Sequence, residues 1–197
     1  MSVFSTPNLL TFFRIGVTPV LVYLLTFSSP FASGLAALLF FVASLSDYFD
    51  GYIARNYGAS SLLGKFLDPA ADKLLICSAL IMLCASGRQP RVPAWMVVVL
   101  VGRELIVTGM RAVAASEGIV VGAEELGKYK MVLQAAAVQG LVIHYPYWHI
   151  NFFAAGLFLL WLAMVLSIWS AVQYHVMVIG ALWARRNNLS ASRAAAG

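Results

Sequence analysis

Asp47-Tyr48-Phe49-Asp50-Gly51-Tyr52-Ile53-Ala54-Arg55 and then Gly64-Lys65-Phe66-Leu67-Asp68-Pro69-Ala70-Ala71-Asp72 are the two runs on which the reading of this chain turns. Together they hold every aspartate among its 197 residues. The rest of the chain is strongly apolar: 61% of its residues are hydrophobic and 11% are charged. Soluble domains average about 45–50% apolar and about 25% charged residues. A water-soluble fold of this size cannot hide so much apolar surface, so lipid is the expected solvent for much of it. Carboxylates are costly in that setting, and intramembrane ones usually have a task. The plain alternative is structural pairing with Arg55, Lys65 and Lys73.

Spacing favours chemistry. Asp47 and Asp50 are three apart and share a helix face; Asp68 and Asp72 are four apart and share another. A short connection around Asn56–Lys65 makes the two helices antiparallel neighbours, so four carboxylates converge. Hard divalent cations take such oxygen donors, and paired metals suit displacement at phosphorus. Gly51, Ala54 and Gly64 leave room for close approach of a ligand, although small residues in membrane helices also serve simple packing.

A membrane-spanning helix needs about 20 mainly apolar residues. Six stretches qualify: Asn8–Phe27, Phe31–Tyr52, Asp68–Ala85, Pro93–Ala114, Leu126–His144 and Asn151–Trp183. The expected architecture is an all-α, six-helix membrane protein forming one domain over residues 1–197, with a flexible tail at 190–197. The first stretch lacks a basic leader and contains Arg14, so it reads as a retained helix. Lysine and arginine gather at the ends where both termini would lie. The opposite connections, Ser28–Pro30, Ser86–Val92 and Tyr145–Ile150, hold only Arg88 and Arg91. The positive-inside rule then puts both termini in the cytoplasm. His144, Tyr145, Tyr147, Trp148 and His149 read as an interfacial aromatic cluster. Cys77 and Cys84 read as small core residues. The net charge of +5 belongs to topology, since no basic run with interleaved aromatics points to nucleic acid.

Written as Asp47-x2-Asp50-Gly51-x2-Ala54-Arg55-x8-Gly64-x3-Asp68-x3-Asp72, the stretch resembles the signature of the CDP-alcohol phosphotransferase family, with every fixed position present. Pro7-Asn8-Leu9-Leu10-Thr11-Phe12-Phe13-Arg14 and Arg103-Glu104-Leu105-Ile106-Val107-Thr108-Gly109-Met110-Arg111 are similar to the bacterial branch that makes phosphatidylglycerophosphate. So are Gly127-Lys128-Tyr129-Lys130 with Gln134, and Trp169-Ser170-x2-Gln173-Tyr174. Met131 departs from that branch, which often carries threonine there.

The resemblance implies two divalent ions, Mg²⁺ or Mn²⁺, between the second and third helices. Asp47 and Asp68 would bridge both, Asp50 would bind one and Asp72 the other. Asp72 would also be the general base. Gly51, Ala54, Arg55, Ser61 and Gly64, with Asn8 and Thr11, would bind CDP-diacylglycerol. The implied reaction transfers its phosphatidyl group to glycerol 3-phosphate and releases CMP. The implied setting is the inner (cytoplasmic) membrane, with the site facing the cytoplasm, membrane lipids around it and a homodimeric assembly.

A phosphate-bearing acceptor needs fixed positive charge, for which Arg103, Arg111, Lys128 and Lys130 are the candidates. Such residues also serve as plain topological anchors. Glu104 can pair with Arg103 or with Arg111, which lies seven residues on and shares its face. Lys128 and Lys130, two apart, diverge on a regular helix unless it starts late. Two alternatives stay open at this point. One is another acceptor in the same family, such as phosphatidylglycerol or inositol phosphate. The other is a small cation or solute transporter, which the clustering of aspartates at one membrane face disfavours.

Overall fold

The structure is a computed structural model. It describes the backbone of residues 6–57, 62–119 and 125–195, and the side chains of residues 11–46, 67, 70–119 and 129–187. Six helices stand among the described residues: α1 (Thr6–Leu25), α2 (Pro30–Tyr57), α3 (Leu62–Ala85), α4 (Ala94–Ser116), α5 (Glu125–Ile143) and α6 (Phe152–Ala195). A two-residue hairpin, β1 (Pro146–Tyr147) and β2 (Ile150–Asn151), joins the last two. The expected all-α class holds.

Several helix ends differ from the hydropathy reading. α3 begins at Leu62, not Asp68, and α2 runs on to Tyr57. Both extensions pass through Arg55, Gly64 and Lys65, where apolarity drops but backbone hydrogen bonding need not stop. α5 ends at Ile143, leaving His144 in the following turn. α6 continues to Ala195, into the stretch read from sequence as a tail. α4 stops in a Schellman arrangement: Gly118 takes φ +68°, its N–H bonds Ala115 O, and Ile119 N–H bonds Ala114 O.

The helices alternate in direction, so α4 and α6 run parallel. Trp95 meets Trp161, Arg103 meets Ser167, Arg111 meets Tyr174 and Glu117 meets Arg185. Each helix gives a fully buried side chain to one core: Leu21, Phe40, Leu75, Leu100, Leu141 and Leu160. α5 and α6 approach most closely at Gly140 and Gly156, where a Cβ on Gly156 would lie 2.7 Å from Leu141 N.

The end opposite the aspartate-bearing helix segments is closed by a polar lock. Arg88, 2% exposed, donates from Nη2 and Nε to Phe27 O at 2.8 and 3.2 Å, and from Nη2 to Leu24 O at 3.4 Å. It thus caps the carboxyl end of α1, where unpaired carbonyls and the helix dipole favour a cation. His144 Nε2 lies 3.0 Å from Gln89 O, and its ring packs edge-on against Tyr145 and Phe153. The expected interfacial aromatic group is therefore split. His144 is buried, whereas Trp148 and His149 are exposed on the hairpin turn with φ of 49° and 65°.

Among the described residues, α6 alone is long and apolar enough by itself to cross a membrane, over Phe152–Asn187. Shorter apolar helical stretches cover Thr11–Leu25, Pro30–Ser46 and Tyr129–Ile143.

Candidate active site

α1 presents one buried stripe, Thr11, Arg14, Thr18, Leu21 and Leu25, at alternating three- and four-residue spacing. It packs between α2 and α3. The stripe is polar in its first half and aliphatic in its second. Its polar half lies toward the end where α2 carries Asp47 and Asp50 and α3 carries Asp68 and Asp72. Thr11 is 1% exposed and Arg14 is fully buried. Thr18 Oγ1 donates to Arg14 O at 2.9 Å, a back-bond that keeps its hydroxyl satisfied within the helix.

Of the four aspartates, Asp72 has a described side chain, and it is half-buried on α3. Asp47, Asp50 and Asp68 lie in α2 and α3, but their side chains are outside the described residues, as are those of Asn8, Gly51, Ala54, Arg55, Ser61, Gly64 and Lys128.

The residue after Asp72 begins a polar connection across the bundle. Lys73 Nζ donates to Thr108 Oγ1 on α4, and Thr108 Oγ1 donates to Glu104 O at 2.6 Å. Glu104 Oε1 accepts from Arg103 Nη1 at 2.6 Å and from Lys130 Nζ on α5. Arg103 Nε donates to Ser167 O on α6 at 2.9 Å. The three charged side chains are only 7–16% exposed. Two cations and one carboxylate leave this group with a net positive charge.

Two of the four expected acceptor residues, Arg103 and Lys130, are therefore brought together. Arg111 is not with them. It is exposed, and its guanidinium lies over the Tyr174 ring of α6, 5.5 Å from the centroid. α5 starts at Glu125, ahead of both lysines, so the late start that would let Lys128 and Lys130 share a phosphate does not occur. Glu104 takes Arg103 and Lys130, and not Arg111. Sequence reasoning gave Arg14 no task at the site. The available signal was an arginine in the middle of an apolar helix.

With this geometry in place, comparison with known proteins defines the class. The chain belongs to the CDP-alcohol phosphatidyltransferase family, whose pattern it matches over residues 4–169. Among curated proteins it is 40% identical to the CDP-diacylglycerol–glycerol-3-phosphate 3-phosphatidyltransferase of Bacillus subtilis (strain 168), covering 87% of this chain and 93% of that one. It is 38% identical to the protein of the same name from Rickettsia bellii (strain RML369-C), over 86% and 93% of the two chains. A third of that name, from Escherichia coli (strain K12), is 36% identical over 87% and 93%.

Proposed function

We propose that this chain transfers the phosphatidyl group of CDP-diacylglycerol to glycerol 3-phosphate, giving phosphatidylglycerophosphate and CMP. Relatives bearing that activity in their names align with nearly the whole chain, which supports the assignment. One observation carries the acceptor: Arg103 and Lys130 are gathered on a single carboxylate, whose residue is linked through Thr108 to Lys73, the neighbour of Asp72.

The reaction forms a bond from the acceptor hydroxyl oxygen to the phosphorus that bears diacylglycerol, and breaks the pyrophosphate bond to CMP. Asp72 accepts the hydroxyl proton, turning a weak nucleophile into a competent one. Arg103 and Lys130 hold the acceptor phosphate, with Lys128 and Arg111 as further positive charge at the same end. Asn8, Thr11, Gly51, Ala54, Arg55, Ser61 and Gly64 bind the CDP-lipid. The donor set of Asp47, Asp50, Asp68 and Asp72 is all carboxylate oxygen on two consecutive helices, α2 and α3, that flank α1, which fits two Mg²⁺ or Mn²⁺ ions. When bound, such ions neutralise the pyrophosphate and stabilise the departing phosphate.

The proposed setting is one domain with all six helices in the membrane. Outward-facing Phe31, Val98, Leu105, Val132, Val176 and Trp183 are each 66–83% exposed, a surface suited to lipid and not to water. Six crossings return both termini to one side, the cytoplasm by charge bias, in an inner-membrane homodimer.

The test is CMP release by purified protein in detergent with CDP-diacylglycerol, Mg²⁺ and a panel of acceptors. Release that requires glycerol 3-phosphate and stops with EDTA is the expected result. Release with phosphatidylglycerol or inositol phosphate instead replaces the acceptor, and no release with any alcohol ends the enzyme reading.

A further inference from the structure

Glu104 has no part in the chemistry above, yet the charged group is built around it. Arg103 and Glu104 are consecutive on α4, so their side chains leave the helix about 100° apart. They meet because the Arg103 guanidinium is turned by a second anchor: Nε is fixed to Ser167 O on α6 while Nη1 reaches back to Glu104 Oε1. Lys130 arrives at the same oxygen from α5. One carboxylate thereby joins side chains from two helices, and Ser167 ties in a third.

Neither cation is used up by these bonds. A guanidinium offers five N–H groups and an ammonium three. The contacts to Glu104 and Ser167 take two of the first and one of the second. The remaining donors can face a phosphate. Without a carboxylate between them, two buried cations repel strongly at low dielectric. The flexible lysine stem would then carry its ammonium away.

We propose that Glu104 is a positioning residue for the acceptor, holding Arg103 and Lys130 side by side as one receptor for its phosphate. This rests on the glycerol 3-phosphate reading. A merely structural Glu104 would affect folding or both substrates alike. A positioning Glu104 acts on the acceptor alone.

Steady-state CMP release separates the two. In Glu104→Gln, KM for glycerol 3-phosphate should rise about tenfold or more, since a tenfold change corresponds to the loss of one modest charged contact. KM for CDP-diacylglycerol should stay within twofold, and kcat should change less than the acceptor KM. Glu104→Asp keeps the charge but withdraws it by one methylene, and should give a smaller rise of about threefold on the same scale. If Glu104→Gln does not fold, Glu104→Asp decides. An acceptor KM within the error of wild type in whichever variant folds overturns the inference. So does a fall in acceptor KM, which would make Glu104 a competitor of phosphate, or an equal rise for both substrates. Wild-type protein that releases no CMP with glycerol 3-phosphate refutes the acceptor reading and this inference with it. Active wild type with an unmoved variant refutes the inference alone.

Discussion

Replacing Gly156 with alanine tests the closest helix contact in the bundle. A methyl group there would sit 2.7 Å from Leu141 N, 2.9 Å from Ala137 O and 3.0 Å from Gly140 C, all backbone atoms of α5. None can rotate away. Ordinary contact begins near 3.4 Å, so the two helices must part by the difference, 0.7 Å. At Gly140 the nearest atom to an added methyl is Gly156 Cα at 3.1 Å, a shortfall of 0.3 Å. Overpacking of this kind costs about 1–3 kcal/mol, and the alanine regains about 1 kcal/mol of helix propensity. Gly156→Ala, at the upper end of that cost, should lose about 2 kcal/mol net, and Gly140→Ala close to nothing. For a chain of this length that is a fall of about 4–8 °C in Tm for Gly156→Ala. Ser167 lies three turns along α6 from Gly156, so the same displacement loosens the Arg103 anchor and raises the acceptor KM. Thermal unfolding followed by circular dichroism in one detergent reads the first effect, and CMP release the second. A Gly156→Ala midpoint at or above wild type, or a larger loss in Gly140→Ala, would refute the packing argument.

Arg88→Gln removes the donors to the Phe27 carbonyl at the end of α1, while Leu24 O keeps its bond from Phe27 N–H, and should cost about 1–3 kcal/mol, read in the same melt. Burial holds the His144 pKa below 6.5, with the Arg88 charge acting the same way and the Gln89 carbonyl opposing. The folded protein thus resists protonation that the unfolded chain accepts. Stability from this site is complete above pH 6.5 and declines as pH falls below it. Midpoints between pH 8 and pH 5 should show that slope, and His144→Gln should flatten it. Asp72→Asn should lower turnover by about 10²–10⁴-fold, the usual scale for a lost general base. Its melting midpoint should stay near wild type, and near-normal CMP release would remove Asp72 from that role.

The helices were legible because each carries an apolar run of nearly membrane length. Their ends were less so, since hydropathy reports solvent and not hydrogen bonding. α3 starts six residues before Asp68 because Leu62–Leu67 continues a helix through Gly64 and Lys65. α6 outlasts its apolar run because Ala- and Arg-rich sequence remains a good helix former. The hairpin between α5 and α6 was invisible: its turn residues, Trp148 and His149, take positive φ without the glycine or asparagine that signals such a turn. Nor could sequence say that Gly140 and Gly156, among the described glycines, meet at a helix contact. Spacing paired the aspartates on the stretches that form α2 and α3. For Glu104 it offered Arg103 and Arg111, of which the structure gives it Arg103, while its second partner, Lys130, comes from α5 and could not be read from helical spacing.

The two ends of the bundle are held in different ways, and the difference bears on function. At the α1 carboxyl end, Arg88 bonds main-chain carbonyls and His144 bonds the Gln89 carbonyl. Those partners are carbonyls fixed in the main chain, each of which loses a donor if its bond breaks. At the other end, α3, α4 and α5 are tied through side chains, Lys73 to Thr108 and Lys130 to Glu104. A phosphate can share a lysine or arginine with a carboxylate, because both present anionic oxygens. The α1 stripe follows the same division, with Thr11, Arg14 and Thr18 on one half and Leu21 and Leu25 on the other. The fold therefore keeps its main-chain caps away from the aspartates and its shareable charged side chains beside them. On the proposed reading, a charged acceptor joins this group through the remaining donors of Arg103 and Lys130, with Glu104 still in place.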